Sequence, residues 1–95
     1  MINLEELFEK HEDVYIESDS VKHLMAFPKC RDLSAIVYLN KIVPFDYNVI
    51  SAAEHDEYYL AVDCDELAKK ATEDDIIFLI RMGVRYQDDS LCLFT

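Results

Sequence analysis

The 95-residue chain has one glycine, two prolines and no tryptophan, and only nine Lys and Arg stand against twenty Asp and Glu. Each shortage excludes something. A single glycine rules out the phosphate-cradling loops of dinucleotide-binding and P-loop proteins, and a serine nucleophile elbow needs two glycines. With so few turn formers and 52% hydrophobic residues, the chain is not an acidic disordered tail. No stretch approaches the roughly 18 apolar residues that cross a bilayer. The three cysteines, Cys30, Cys64 and Cys92, are odd in number and widely spaced, which suits reduced thiols packed as small hydrophobes better than a disulfide framework.

What remains is a single small domain, residues 1–95, with a net charge of −11. The opening MINLEELFEK has neither a basic n-region nor an apolar h-region, so it does not read as a signal peptide, and a cytoplasmic location is expected. The charge is uneven. Residues 1–19 carry −6, residues 20–45 carry +3 through Lys22, Lys29, Arg31 and Lys41, and residues 46–95 carry −8. A field of this sign repels nucleic acid phosphates and anionic lipid, so direct nucleic acid or membrane binding is not expected. It attracts basic protein surfaces.

Three helix starts share one capping pattern. Asn3 precedes Glu6 by three positions, with Ile2 and Leu7 placed as a hydrophobic staple, and starts a helix near residue 4. Asp63 with Glu66 opens a short helix over about 64–71, and Thr72 with Asp75 opens another, backed by Glu73 and Asp74 at the positive end of its dipole. Gly83 ends that last helix as a left-handed cap. Residues 32–43 suit a buried strand at Ile36 to Leu39 but recur at helical spacing through Leu33, Ile36, Val37 and Asn40, and their length favours a helix stopped by Pro44. Residues 20–28 stay open.

Alternation supplies the strands. Asp13 to Glu17 reads as a short acidic strand; residues 47–53 and 57–62 read as a hairpin across Glu54, His55 and Asp56; residues 84–86 and 91–94 read as a second hairpin across a polar turn at 87–90. The predicted class is α+β, one small domain with a mainly antiparallel sheet and helices packed on one face.

Chemistry-bearing clusters are sparse. Glu54, His55, Asp56 and Glu57 are the densest group, but neighbouring strand residues point to opposite faces and a hairpin tip faces water, so they read as a solvated turn. His23 with Cys30 and His55 with Cys64 lie seven and nine residues apart, too far for zinc ligand pairs. Cys30 stands between Lys29 and Arg31, which would activate its thiol if all three were exposed together. No catalytic residue, metal or cofactor is assigned, and an enzyme is not expected. The acids are the remaining candidates: Glu5, Glu9, Glu12, Asp13, Glu17 and Asp19 could form a ribbon whose spacing, about 5–7 Å along a helix or strand, resembles successive phosphates.

The run Met1, Asn3, Leu4, Glu9, Lys10, followed by Ile16, Glu17, Ser18 and then Leu24, Met25 and Pro28, resembles the start of the phage uracil-DNA glycosylase inhibitor family of acidic DNA mimics. The resemblance spans about 28 residues. It implies a helix before an acidic edge strand that enters an enzyme's DNA groove, with Glu17 as a contact. After Pro28 this chain turns basic at Lys29 and Arg31, and its 64–82 helix pair has no counterpart there.

The expected function is a non-enzymatic acidic module that binds a basic protein, in one form a DNA-mimic inhibitor of a DNA-binding enzyme. The alternative is a structural homodimer formed through an apolar sheet face or exposed Tyr58 and Tyr59. A thiol or metal enzyme would need Cys30, His23 and His55 in contact.

Overall fold

A computed structural model of the chain describes residues 2–45, 48–54, 57–87 and 89–94. Three helices form where their caps predict, and a fourth forms where the spacing and length of residues 32–43 favour helix over strand. Helix α1, Leu4–Lys10, begins where the Asn3 side chain accepts the Glu6 amide at 3.0 Å. Two 3-10 segments, Glu12–Val14 and Asp19–Leu24, lead to α2, Arg31–Ile42. Strands β1, Ile50–Glu54, and β2, Glu57–Leu60, follow, then α3, Cys64–Lys70, whose cap Asp63 accepts the amides of Asp65 and Glu66. Helix α4, Glu73–Arg81, opens on a full capping box: Thr72 accepts the Asp75 amide at 3.3 Å, and Asp75 accepts the Thr72 amide at 2.9 Å. Strands β3, Val84–Gln87, and β4, Ser90–Phe94, close the chain.

The four strands form one antiparallel sheet in the order β1-β2-β4-β3. Its register sorts the side chains into two faces. On the inner face lie the rows Tyr58, Leu93, Val84 and Leu60, Leu91, Tyr86; on the outer face lies the row Ala52, Tyr59, Cys92, Arg85. The inner row residues Leu60, Val84, Leu91 and Leu93 are 0–3% exposed and join the core with Ile76, Leu79 and Ile80 of α4. The fold is α+β, and buried residues of its helices share one core with that inner face.

Asp75 also ties α2 to α4. Its second carboxylate oxygen accepts the Tyr38 hydroxyl at 2.6 Å, while the Tyr38 ring stacks on Phe78 at a centroid distance of 4.2 Å. Burial, then the Asp75 hydrogen bond, raises the Tyr38 pKa above the ordinary tyrosine value.

One expected strand is absent. Asp13 to Glu17 is not extended: Glu12–Val14 is a 3-10 turn, and Ile16 takes a left-handed φ of 58°. The alternation there is short and meets no partner strand. Instead the Ile16 amide donates to Ile80 at 3.1 Å, which docks the segment on the end of α4. A β-branched residue at positive φ is strained, and the flanking bonds hold it. Residues 20–28, left open by the sequence, hold the second 3-10 segment and the buried Met25. The first hairpin is shorter than expected, starting at Ile50; Tyr47 and the turn residues His55 and Asp56 lie outside the described residues, as does Asp88.

Gly83 occupies the cap position that its uniqueness suggested. At φ 101° its amide donates to Ile80 at 3.0 Å, and a Cβ there would lie 2.9 Å from Arg31 Nη1 and 3.1 Å from the Phe94 carbonyl oxygen. Gly83→Ala is expected to destabilise the fold by about 1–2 kcal/mol from backbone conformation alone, with the Phe94 contact adding to it. Urea denaturation of the two proteins measures the difference, and an unchanged midpoint would contradict this account.

Candidate functional site: an acidic groove

Helix α1 is fixed at both ends. The Ile2 amide donates to Ala68 at 3.0 Å, and at the other end Lys10 and His11 reach Glu73 at the start of α4, at 3.3 and 2.6 Å. The interaction with His11, then Lys10, holds the Glu73 carboxyl below the usual glutamate range. This clamp turns the one lysine of α1 away from its acidic face.

Between α1, the Glu12–Val14 turn, the end of α4 and β3 lies a groove of about 650 Å³. Glu5 and Glu9, one turn apart on α1, stand on its rim with Glu12 and Asp13. Its floor is Phe8, Tyr15, Tyr86, Ile80 and Val84, with Arg85 at the sheet side. Phe8 and Tyr86 stack at a centroid distance of 6.0 Å. The Tyr86 hydroxyl donates to Asp89 at 2.9 Å, and that bond is the main reason its pKa is pushed up to about 12. Burial raises Tyr15, against the opposing pull of Arg85 and Arg31. Glu5 and Tyr86 also border a second hollow of about 380 Å³, which continues past Asn3 to Cys64 and Asp65.

Of the six candidate acids, four gather here and two do not. Among the described residues no ion pair engages Glu5, Glu9, Glu12 or Asp13. Glu17 instead pairs with Arg81, which also contacts the Glu17 carbonyl and Ser20, while Asp19 pairs with Lys22 at 3.3 Å. The continuous ribbon supposed an extended strand through Glu17; the bend at Ile16 breaks it. The cations nearest the groove are committed elsewhere too, Arg85 to Glu57 and Lys10 to Glu73.

The other candidates do not converge. Cys30 donates its thiol proton to Asp32 at 2.9 Å, the chief cause of the lowered Asp32 pKa, and Arg31 turns away to the Met82 carbonyl at 3.2 Å. Cys92 is buried, and Cys30 and Cys64 are half-buried. Burial, helped by Asp63 and Asp65, pushes the Cys64 thiol up to about 11. Among the described residues no group of three or more His, Cys, Asp or Glu side chains is placed to hold a metal ion, and His55 lies outside them. Tyr58 and Tyr59, expected to be exposed, are half-buried. Among the described residues no helix is long and apolar enough to cross a membrane.

Comparison with known proteins finds no family model, no curated protein and no solved structure that matches this chain.

The rim residues belong to the expected acidic set, whereas the floor residues carry no signal in the sequence. Phe8 and Tyr86 lie on elements far apart in the chain, and no local spacing announces that they meet.

Two outcomes follow from these environments. Because the Glu73 pKa is depressed in the folded protein, its clamp contributes stability above its unfolded value near 4.5 and loses it as pH falls through the lower folded value. Thermal melts should therefore show Glu73→Gln less stable than the parent at pH 7 and indistinguishable from it in strong acid. Cys64, protonated at neutral pH, should resist alkylation at pH 8 in the folded protein and react freely in denaturant; rapid native labelling at Cys64, located by peptide mass mapping, would contradict the burial described.

Proposed function

We propose that this chain is a non-enzymatic acidic protein-binding module that receives a basic surface of another protein in the groove between α1 and β3, and so regulates or inhibits that protein. The observation carrying this reading is that Glu5, Glu9, Glu12 and Asp13 rim one concavity without ion-pair partners among the described residues. Carboxylates left unpaired around an aromatic floor suit an arginine or lysine side chain: the rim supplies charge, and the Tyr15 and Tyr86 rings supply apolar surface and cation–π attraction. The surrounding −11 field speeds the approach of such a partner and repels nucleic acid itself.

A DNA-binding enzyme is a partner of this kind, since it already offers cations arranged for phosphates. Where the uracil-DNA glycosylase inhibitor family has an acidic edge strand, this chain has the Glu12–Val14 turn, so mimicry here falls to Glu5, Glu9, Glu12 and Asp13 rather than to Glu17. Half-buried, unpaired thiols at Cys30 and Cys64 accord with work in a reducing cytoplasm.

The test uses an arginine-rich peptide as probe. Replacing Glu5, Glu9 and Glu12 with Gln and Asp13 with Asn should weaken its binding about tenfold, from four exposed contacts of ~0.3–0.5 kcal/mol each, and should flatten its salt dependence. A control that removes equal charge elsewhere, through Glu6→Gln, Asp19→Asn, Glu66→Gln and Asp74→Asn, should cost much less. Equal losses in calorimetric titration would show that net charge, not the groove, governs capture, and would overturn the reading.

A further inference from the structure

The two edges of the sheet are unlike. β3 has packing neighbours besides β4: α1 contacts it, Phe8 stacks on Tyr86, Ile16 is pinned to Ile80 next to it, and Val84 is 0% exposed. At β1 the opposite holds. Ile50, Ser51, Ala52 and Ala53 are all exposed, Ile50 at 40%, and among the described residues β2 is the only element that packs extensively on β1. An uncovered edge offers a row of backbone donors and acceptors to another strand, and proteins that must avoid this place lysine, proline or inward charge there. The stretch from Ile50 to Ala53 has none of these. A register shift between Ile50 and Ala52 blunts its start, leaving Ala52 to Glu54 in regular pairing with β2.

We infer that β1 pairs with β1 of a second copy of this chain, joining two four-stranded sheets into one continuous sheet about a two-fold axis. Electrostatics selects the place, and the self-complementary register of the strand selects the occupant. Two molecules of charge −11 repel each other over most of their surfaces and meet most easily where charge is low, and Ile50 to Ala53 is a neutral run at the far side of the sheet order from the acidic groove. Antiparallel pairing of β1 with itself, centred on Ala52, sets Ala52 opposite its own copy, Ser51 opposite Ala53 and Ile50 opposite Glu54, so no like charges stand opposite one another. It also shields part of both copies of Ile50, one of four large apolar side chains that are markedly exposed among the described residues. The two grooves then lie at opposite ends of an eight-stranded sheet, about 34 Å apart along seven strand spacings of about 4.8 Å.

This inference does not depend on what the groove binds, and salt separates the two. Screening weakens capture of a cationic peptide, whereas it relieves repulsion between two acidic copies and tightens their pairing. Sedimentation equilibrium of the whole chain, from micromolar to near-millimolar concentration, should show a species of twice the 11.1 kDa chain mass that grows with protein and with added sodium chloride. Ala52→Glu and Ala53→Glu, made separately, place a like charge near the axis on exposed positions and should weaken self-association about tenfold or more. Their circular dichroism spectra and arginine-peptide binding should match the parent, which separates a lost interface from a lost fold. In the parent, amide exchange across Ile50–Glu54 should slow as protein concentration rises. A monomer at every concentration and salt, or a dimer that both substitutions leave intact with no concentration-dependent protection of β1, overturns the proposal.

Discussion

Burial of α4 on most of its circumference sets the rest of the molecule in place. Ile76, Leu79 and Ile80, spaced for one side of the helix, enter the core beneath the sheet, while Phe78, offset from them, stacks against Tyr38 of α2. Such a helix must be enclosed by other elements. Its two ends then act as anchors: Thr72, Asp75 and Glu73 at the start hold α2 and the end of α1, and Ile80, Arg81 and Gly83 at the finish hold the Ile16 bend, Glu17 and the turn into β3. The groove lies between what the two ends hold.

The same anchors decide which acids are left unpaired. A chain with nine Lys and Arg cannot neutralise twenty carboxylates, so where the cations go matters more than where the acids are. Arg81 is consumed at Glu17, Lys22 at Asp19, and Lys10 at Glu73. Each of these pairs has at least one exposed partner and contributes modestly to stability by itself. Their consequence is positional: they draw positive charge off the α1 face and concentrate uncompensated negative charge around one hollow. Glu17 and Asp19 are thereby structural partners of the fold, although the sequence places them in the same expected acidic ribbon as Glu5 and Glu9.

Features that depend on a few neighbouring residues were legible in the sequence. The Asn3, Asp63 and Thr72 caps and the Gly83 stop each express a bond within four residues, and the hairpins express alternation beside a short turn. The Asp13 to Glu17 segment shows the limit of that method. Its alternation is real, but a strand needs an edge to pair with, and here the chain turns at Ile16 and bonds to the end of α4 instead. The groove was half legible for the same reason: its rim is continuous in sequence from Glu5 to Asp13, whereas its floor joins Phe8 to Tyr86 and Ile80 across most of the chain.

The shape of the site constrains how such a module can work. An acidic ridge enters a cleft on its partner; an acidic hollow accepts something that projects. Glu5, Glu9, Glu12 and Asp13 surround a cavity with aromatic rings beneath them, so under the function proposed above the fitting partner would be one whose arginine or lysine side chains stand out from a loop or helix. The aromatic floor sharpens the choice, because a planar guanidinium stacks on a ring and still meets carboxylates at its rim, whereas a compact ammonium ion stays more strongly hydrated. Tyr86, held by its bond to Asp89, and Phe8, stacked against it, keep that floor in place before any partner arrives, so little ordering remains to be done on binding.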